Sequence, residues 1–261
     1  MPIARRAIES LRRRAWGDTG IELVVVILGV FIGLQAANWN EGRLSAQRGT
    51  AFTERLKDDL RVEAWNWEMQ IGYYSQVRTS AIRAADALSG HIALTDDALL
   101  AAAYRATQYN ENTRQRTTYD ELTSTGEIHL IADLGLRNLA VEIYSSPIFE
   151  LISDEGRMSD YRKWFRKRVP HRVQFAVAEA CGDRIIATGD FAGIATALDY
   201  PCQIDLPAAE LAEVANLIRN DADALPLLRL RIADAGTNIS TFGTYLPHLR
   251  DALRRIAAEA P

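Results

Sequence analysis

Twelve consecutive apolar or glycine residues, Leu23 to Leu34 (LVVVILGVFIGL), set the first constraint on this chain. Extended to Ile21 and Trp39, the segment has nineteen residues, with Glu22, Gln35 and Asn38 as its strongly polar members. As a helix it rises about 28 Å, close to the roughly 30 Å hydrocarbon layer of a bilayer. A twelve-residue run alone also suits a buried core helix. The flanks favour a membrane: Arg5, Arg6, Arg12, Arg13 and Arg14 precede the run, and Trp16 and Trp39 bracket it as interfacial aromatics do. A cleavable signal peptide shares the basic-then-apolar order, but its small-residue cleavage pattern is missing. A cut after Ala37 leaves Gln35, and a cut after Ala36 leaves Leu34, where a small residue is needed. The expectation is one transmembrane helix over residues 21–40, in contact with membrane lipid.

Five arginines against Glu9 and Asp18 in the first twenty residues make 1–20 a basic segment. The positive-inside rule puts it in the cytoplasm and the rest of the chain on the far side, in a bacterium the periplasm. Ile3, Ala7, Ile8, Leu11 and Ala15 recur at helical spacing, which suits either an amphipathic helix on the inner leaflet or a frayed basic tail. Within the span, Gly29, Gly33 and Ala37 recur every four residues and share a face, and Glu22 falls on it seven residues earlier. Small residues at this spacing let a second helix come close, so this face is the expected site of self-association or of contact with another membrane protein. Glycine is also simply common in membrane helices.

The composition of the whole chain conceals this organisation. Hydrophobic residues make up 48% and charged residues 25% of its 261 residues, which excludes a disordered chain, a collagen-like repeat and a multi-span transporter. A net charge of −4 disfavours nucleic acid as a partner. Beyond the span the pattern reads as helix nearly throughout. Residues 41–90 lack proline and carry Phe52, Leu56, Leu60, Ala64, Met69, Val77, Ala81, Ala84 and Leu88 at spacings mostly of three and four. They read as a stalk helix, kinked near Gly49 or Gly72, followed by an α-helical domain over 91–261. Thr95 or an aspartate after it caps one helix. Thr118 with Glu121 forms a capping box for another, Gly126 ends it, and Asp133 caps the next up to Pro147. Breaks are expected near Pro170, at Pro207, and at Gly236, Gly243 or Pro247. The fold class is all-α: one N-terminal transmembrane helix, a stalk helix and an extramembrane helical bundle.

Two blocks resemble a known family. IELVVVILGVFIGLQAANWNEGR is similar to the anchor of a family of bacterial single-span membrane proteins with no assigned activity. The anchor pattern of that family is matched by Glu22, Gly29, Leu34, Gln35, Asn38, Trp39, Asn40 and Glu41. Gly33 departs from it, since the family usually has alanine there. The second block, TYDELTSTGEIHLIADLGLRNLAVEIY from Thr118 to Tyr144, matches more weakly, and together the blocks cover about a fifth of the chain. The resemblance implies topology and fold, not a reaction.

Few chemical signatures remain. There is no GxxxxGK[ST], GxGxxG, HExxH or GxSxG, and the four histidines are scattered, so neither a cofactor nor a metal is expected. Arg162, Lys163, Trp164, Arg166 and Lys167 form a basic-aromatic cluster, read either as a patch for lipid headgroups or an acidic partner, or as a solvated face balanced by Asp154, Glu155 and Asp160. Cys181 and Cys202 flank the least regular stretch and suit a disulfide in an oxidising compartment. Three functions follow as expectations. The first is a non-enzymatic structural or interaction module, an accessory subunit or scaffold of a membrane assembly. The second is a periplasmic ligand-binding or sensing module that works through a partner. The third is an enzyme of a new type built on Tyr119, Asp120, Glu121 and His129.

Overall fold

The computed structural model describes residues 3–111 and 113–259, with side chains from residue 23 onward. Helix α1 runs without a break from Ile3 to Leu88. The contacts divide the chain into two units, residues 1–53 with 129–132, and residues 54–128 with 133–261.

The first unit holds the apolar stretch of α1. Every large apolar residue from Leu23 to Leu34 stands more than half exposed. An 18-residue window here has a mean hydropathy of 1.7 with none of it buried, long and apolar enough to cross a membrane. Later in this unit Gly49 lies against the carbonyl of Leu130, and a Cβ at Gly49 would stand 2.7 Å from that oxygen.

The second unit is built round the end of α1. Its remaining helices are α2 (Asp96–Arg105), α3 (Thr117–Ser124), α4 (Leu134–Ser145), α5 (Ile148–Met158), α6 (Asp160–Arg168), α7 (His171–Cys181), α8 (Ala208–Asn220), α9 (Ala224–Ser240) and α10 (Pro247–Ala258), with no strand among the described residues. From residue 56 onward α1 is packed into the helical domain. Leu56, Leu60, Glu63, Trp67, Gln70, Tyr74, Val77, Ala81 and Ala84 are at most 2% exposed. They recur at alternating steps of four and three, the seam that keeps one stripe of a helix facing its neighbours. Buried residues on a second face, Trp65, Met69 and Tyr73, meet Ile194, Ala197 and Leu198 from the irregular segment after α7. A helix covered on several sides is a core helix.

The small end of this helix, Ala81, Ala84 and Ala85, joins Leu99, Leu100 and Ala103 of α2 in the main core. Phe165 of α6, Val173 and Val177 of α7 and Ile218 of α8 complete it. Nearer the middle, Trp67 meets Phe242 edge-on at 4.9 Å between ring centroids and Phe149 at 5.8 Å. The Trp67 indole N–H donates to the Phe242 carbonyl at 2.8 Å. That carbonyl lies in a π-helical turn, Thr241–Tyr245, between α9 and α10.

Local sequence signals explain most helix ends. Thr95 caps α2 by accepting from the Ala98 N–H, and Asp133 caps α4 by accepting from Gly135 and Leu136. Gly126 follows α3 at φ 74°, the left-handed conformation that glycine adopts freely. Pro170 separates α6 from α7, Pro207 precedes α8, and the break near the C-terminus falls at Gly243 and Pro247 rather than at Gly236. Two expectations fail. Gly49 and Gly72 do not break α1, and both are points of close approach: a Cβ at Gly72 would lie 2.4 Å from Cγ2 of Ile194. And α3 is not opened by its own capping box. Its N-cap position is Arg116, without a side-chain bond, and the Thr118 N–H donates to Asp59 on α1 at 2.9 Å.

Candidate membrane anchor and polar sites

On the anchor, Gly29 and Gly33 have nothing within 4 Å of where a Cβ would stand, so the glycine face lies open along the span. Ala37 is exposed on the same helix. At one end Trp39 is 71% exposed, with the Arg43 guanidinium 5.9 Å from its ring centroid, and Arg43 donates to Asn40 at 3.3 Å. The NWNEGR signature thus carries an aromatic and a cation side by side, as an interfacial anchor needs. The other anchoring residues read from the sequence, Trp16 and Glu22 with the arginines of residues 1–20, have side chains outside the described residues.

The block Thr118–Tyr144 is tied down by buried polar groups. Glu63, 1% exposed, accepts from Arg114 Nε at 2.6 Å, from the Gln115 N–H at 3.0 Å and from Asn66 at 3.2 Å. Burial pushes its carboxyl up, against the pull of Arg114. Arg114 lies 4.3 Å over the ring of Phe149 and donates to the Ile143 carbonyl at 3.0 Å. The Tyr144 hydroxyl donates to the Gln115 carbonyl at 2.7 Å, and burial raises its pKa. Asp59, Glu63, Arg114, Gln115 and Tyr144 therefore form one fastening of α1 to the segment that opens α3.

The residues proposed for a catalytic site are used differently. Asp120 is bound by Arg116 at 3.0 Å through both carboxylate oxygens, and Glu121 pairs with Arg55 at 2.6 Å. Tyr119 packs on Tyr144 with ring centroids 4.9 Å apart. Both carboxylates are exposed ion pairs rather than acids buried in a pocket.

The basic-aromatic cluster is divided by the helix it lies on. Arg162 and Trp164 are buried, at 8% and 7% exposed, so neither belongs to a surface patch. Tyr161 stacks on Trp164 at 5.4 Å, while the Arg162 guanidinium donates to the Thr107 carbonyl at 2.9 Å. Lys163 pairs with Asp160 at 3.2 Å and Arg168 with Asp221 at 3.0 Å. Arg166 and Lys167 are exposed. Glu155, read as a balancing surface acid, instead pairs with Arg231 at 3.1 Å. Arg231 is 1% exposed and also donates to the carbonyls of Ala106 at 3.1 Å and Gln108 at 2.7 Å.

Cys181 and Cys202 form a disulfide. The loop they close is held by Arg105 of α2, 5% exposed, which donates to the Cys181 carbonyl at 3.1 Å and to the Tyr200 carbonyl at 2.8 Å. Gln76 of α1 reaches the same loop, accepting from the Leu198 and Asp199 N–H groups at 2.7 Å each.

Glu63, Gln70, Arg105, Arg114 and Arg231 were not singled out from the sequence. For two of them a signal existed: Glu63 and Gln70 occupy the four-three stripe that Leu56 and Leu60 begin, and a polar residue in an apolar stripe announces a buried polar contact. The arginines carry no such mark, since their partners, backbone carbonyls and the carboxylates of Glu63 and Glu155, lie far along the chain. Comparison with protein-family models, with curated proteins and with solved structures finds no match to this chain.

Proposed function

We propose that the chain is a single-pass protein of the bacterial inner membrane, with residues 1–20 cytoplasmic and its α-helical domain periplasmic. Its role is that of a non-enzymatic interaction module, an accessory subunit or scaffold of a membrane assembly. The observation that carries this reading is the apolar stretch of α1, exposed over its whole length in a protein whose other unit has an ordinary packed core. Leaving that much contiguous apolar surface in water is strongly unfavourable, and lipid is the environment that removes the cost.

Three further features support the details. The open face at Gly29 and Gly33 offers a second helix close backbone approach. The disulfide belongs to an oxidising compartment. The carboxylates of Asp120 and Glu121 are each taken up by an arginine, which leaves neither as a free acid or base. The resemblance of the anchor to a bacterial single-span family points the same way.

Native electrophoresis of the detergent-extracted full chain tests the proposal. An oligomer or a co-purifying membrane protein is expected, reduced by Gly29→Leu with Gly33→Leu. A strictly monomeric species without a partner overturns it. Alkylation of the reduced cysteines by a membrane-impermeant reagent in spheroplasts tests the orientation, with labelling expected from the outside.

A further inference from the structure

The cations of α6 face two ways. Lys163 and Arg168 are engaged with aspartates, whereas Arg162 and Arg166, one turn apart, both line a small cavity between α6, α7 and the end of α2. The cavity has a volume of about 160 Å³ and is walled by the aromatic side chains of Tyr104, Phe165 and Phe175. Arg162 is 8% exposed, yet among the described residues no carboxylate stands within ion-pairing distance of it. Its Nη1 donates to the Thr107 carbonyl and its guanidinium lies 4.7 Å over the Tyr109 ring. Its Nε and Nη2 have no acceptor among the described residues. Asp183, which accepts from the Tyr73 hydroxyl at 2.6 Å, acts on Arg162 only at longer range.

A guanidinium 8% exposed and without a counter-ion keeps only the water that reaches it through the cavity, and a second arginine beside it adds repulsion. Burial and the Arg166 charge together hold Arg162 below its ordinary value. An anion in the cavity removes both costs. A planar carboxylate accepts two parallel N–H bonds from a guanidinium, and aromatic walls suit an apolar body attached to it. Phe175, 71% exposed at the rim, is the large apolar side chain that such a body would cover.

We propose that this cavity binds a small organic carboxylate, with Arg162 and Arg166 holding the anionic end and Phe165 and Phe175 the apolar end. The site stands independently of the membrane reading. Equilibrium titration of the full chain in detergent with sodium benzoate, and with propionate as a smaller probe, tests it against sodium chloride at matched ionic strength. Saturable binding is expected, weakened roughly tenfold by Arg166→Gln through loss of a charge-assisted bond. Phe175→Ala is expected to weaken benzoate more than propionate, and Lys167→Gln to leave both unchanged. Arg162→Gln risks the fold, so the exposed Arg166 carries the test. Saturable binding of neither probe, or equal affinity in wild type and Arg166→Gln, overturns the proposal. Tighter binding of inorganic phosphate than of either carboxylate overturns the assignment to carboxylates.

Discussion

Asp59 of α1 accepts a hydrogen bond from the backbone N–H of Thr118, 59 residues further along, at 2.9 Å. The first turn of α3 is thus capped by another helix, so the position of α3 and its stability are one property. Asp59→Ala is expected to cost about 1–2 kcal/mol, the usual worth of an N-terminal cap. Asp59→Asn, which keeps an acceptor oxygen, should recover most of it. Thermal unfolding followed by circular dichroism compares the two, and equal loss in both variants would contradict the assignment.

Gln70 sits in the four-three stripe of α1 at 0% exposed, and neither its Nε2 nor its Oε1 has a partner among the described residues. An unpaired buried amide costs on the order of 1–3 kcal/mol. Gln70→Leu, close in volume and free of polar atoms, should therefore raise stability in denaturant titration. A lower midpoint for the leucine variant would show that the amide is paired.

Gly72 answers to packing rather than to helix propensity. On an exposed helix, glycine to alanine gains about 1 kcal/mol. Here the added methyl would meet Ile194 Cγ2 at 2.4 Å, on a β-branched side chain with little freedom to yield. Gly72→Ala should thus lower stability by about 1–3 kcal/mol. Gly42→Ala on the same helix, with nothing within 4 Å, serves as the control and should not.

Arg231 is the buried half of an ion pair with Glu155 and also serves two backbone carbonyls. Removing one partner of a fully buried pair costs about 3–5 kcal/mol, and Glu155, 32% exposed with Asn238 still donating to it at 2.8 Å, puts this case at the lower end. Arg231→Met should show a loss of that size in chemical denaturation. Combining it with Glu155→Gln should cost less than the two single losses added together.

Glu68 sets an acid dependence. Burial alone would raise its carboxyl, but hydrogen bonds from Arg250 at 2.7 and 2.8 Å and from Arg254 at 2.9 Å outweigh this and hold it below its ordinary value. A carboxyl lowered by folding adds stability above its unfolded pKa and loses it as pH falls through the folded value. Glu68→Gln should therefore be less stable than wild type at neutral pH, with the gap closing below about pH 4. Glu63 works in the opposite sense. Its raised value means that the folded state takes up the proton first, so its ionisation costs stability as pH rises past the ordinary carboxylate range.

Much of the architecture was legible in the chain because its signals are local. The uninterrupted apolar run from Leu23 to Leu34, the cap at Asp133, the left-handed Gly126 and the breaks at Pro170, Pro207 and Pro247 need only neighbours within a few residues. The boundary between stalk and domain was not legible. Residues 56–88 show a helical stripe, but how many further faces of that helix are covered depends on segments more than a hundred residues away. The capping of α3 escaped for the same reason: Thr118 and Glu121 have the spacing of a capping box, and Asp59 on a different helix supplies the acceptor instead.

The buried arginines mark the limit most clearly. Arg105, Arg162 and Arg231 are indistinguishable in the sequence from arginines on a solvated face, and on α6 the buried Arg162 stands next to the exposed Lys163. Hydropathy and helical period by themselves determined that this chain is all-helical and carries one segment long and apolar enough to cross a membrane. Only the tertiary structure decided which charges are buried, which carbonyls and rings receive them, and that Arg105 and Arg162 are left without a counter-ion among the described residues. Local propensity acts over one or two turns, whereas the cost of burying a charge depends on every group that surrounds it.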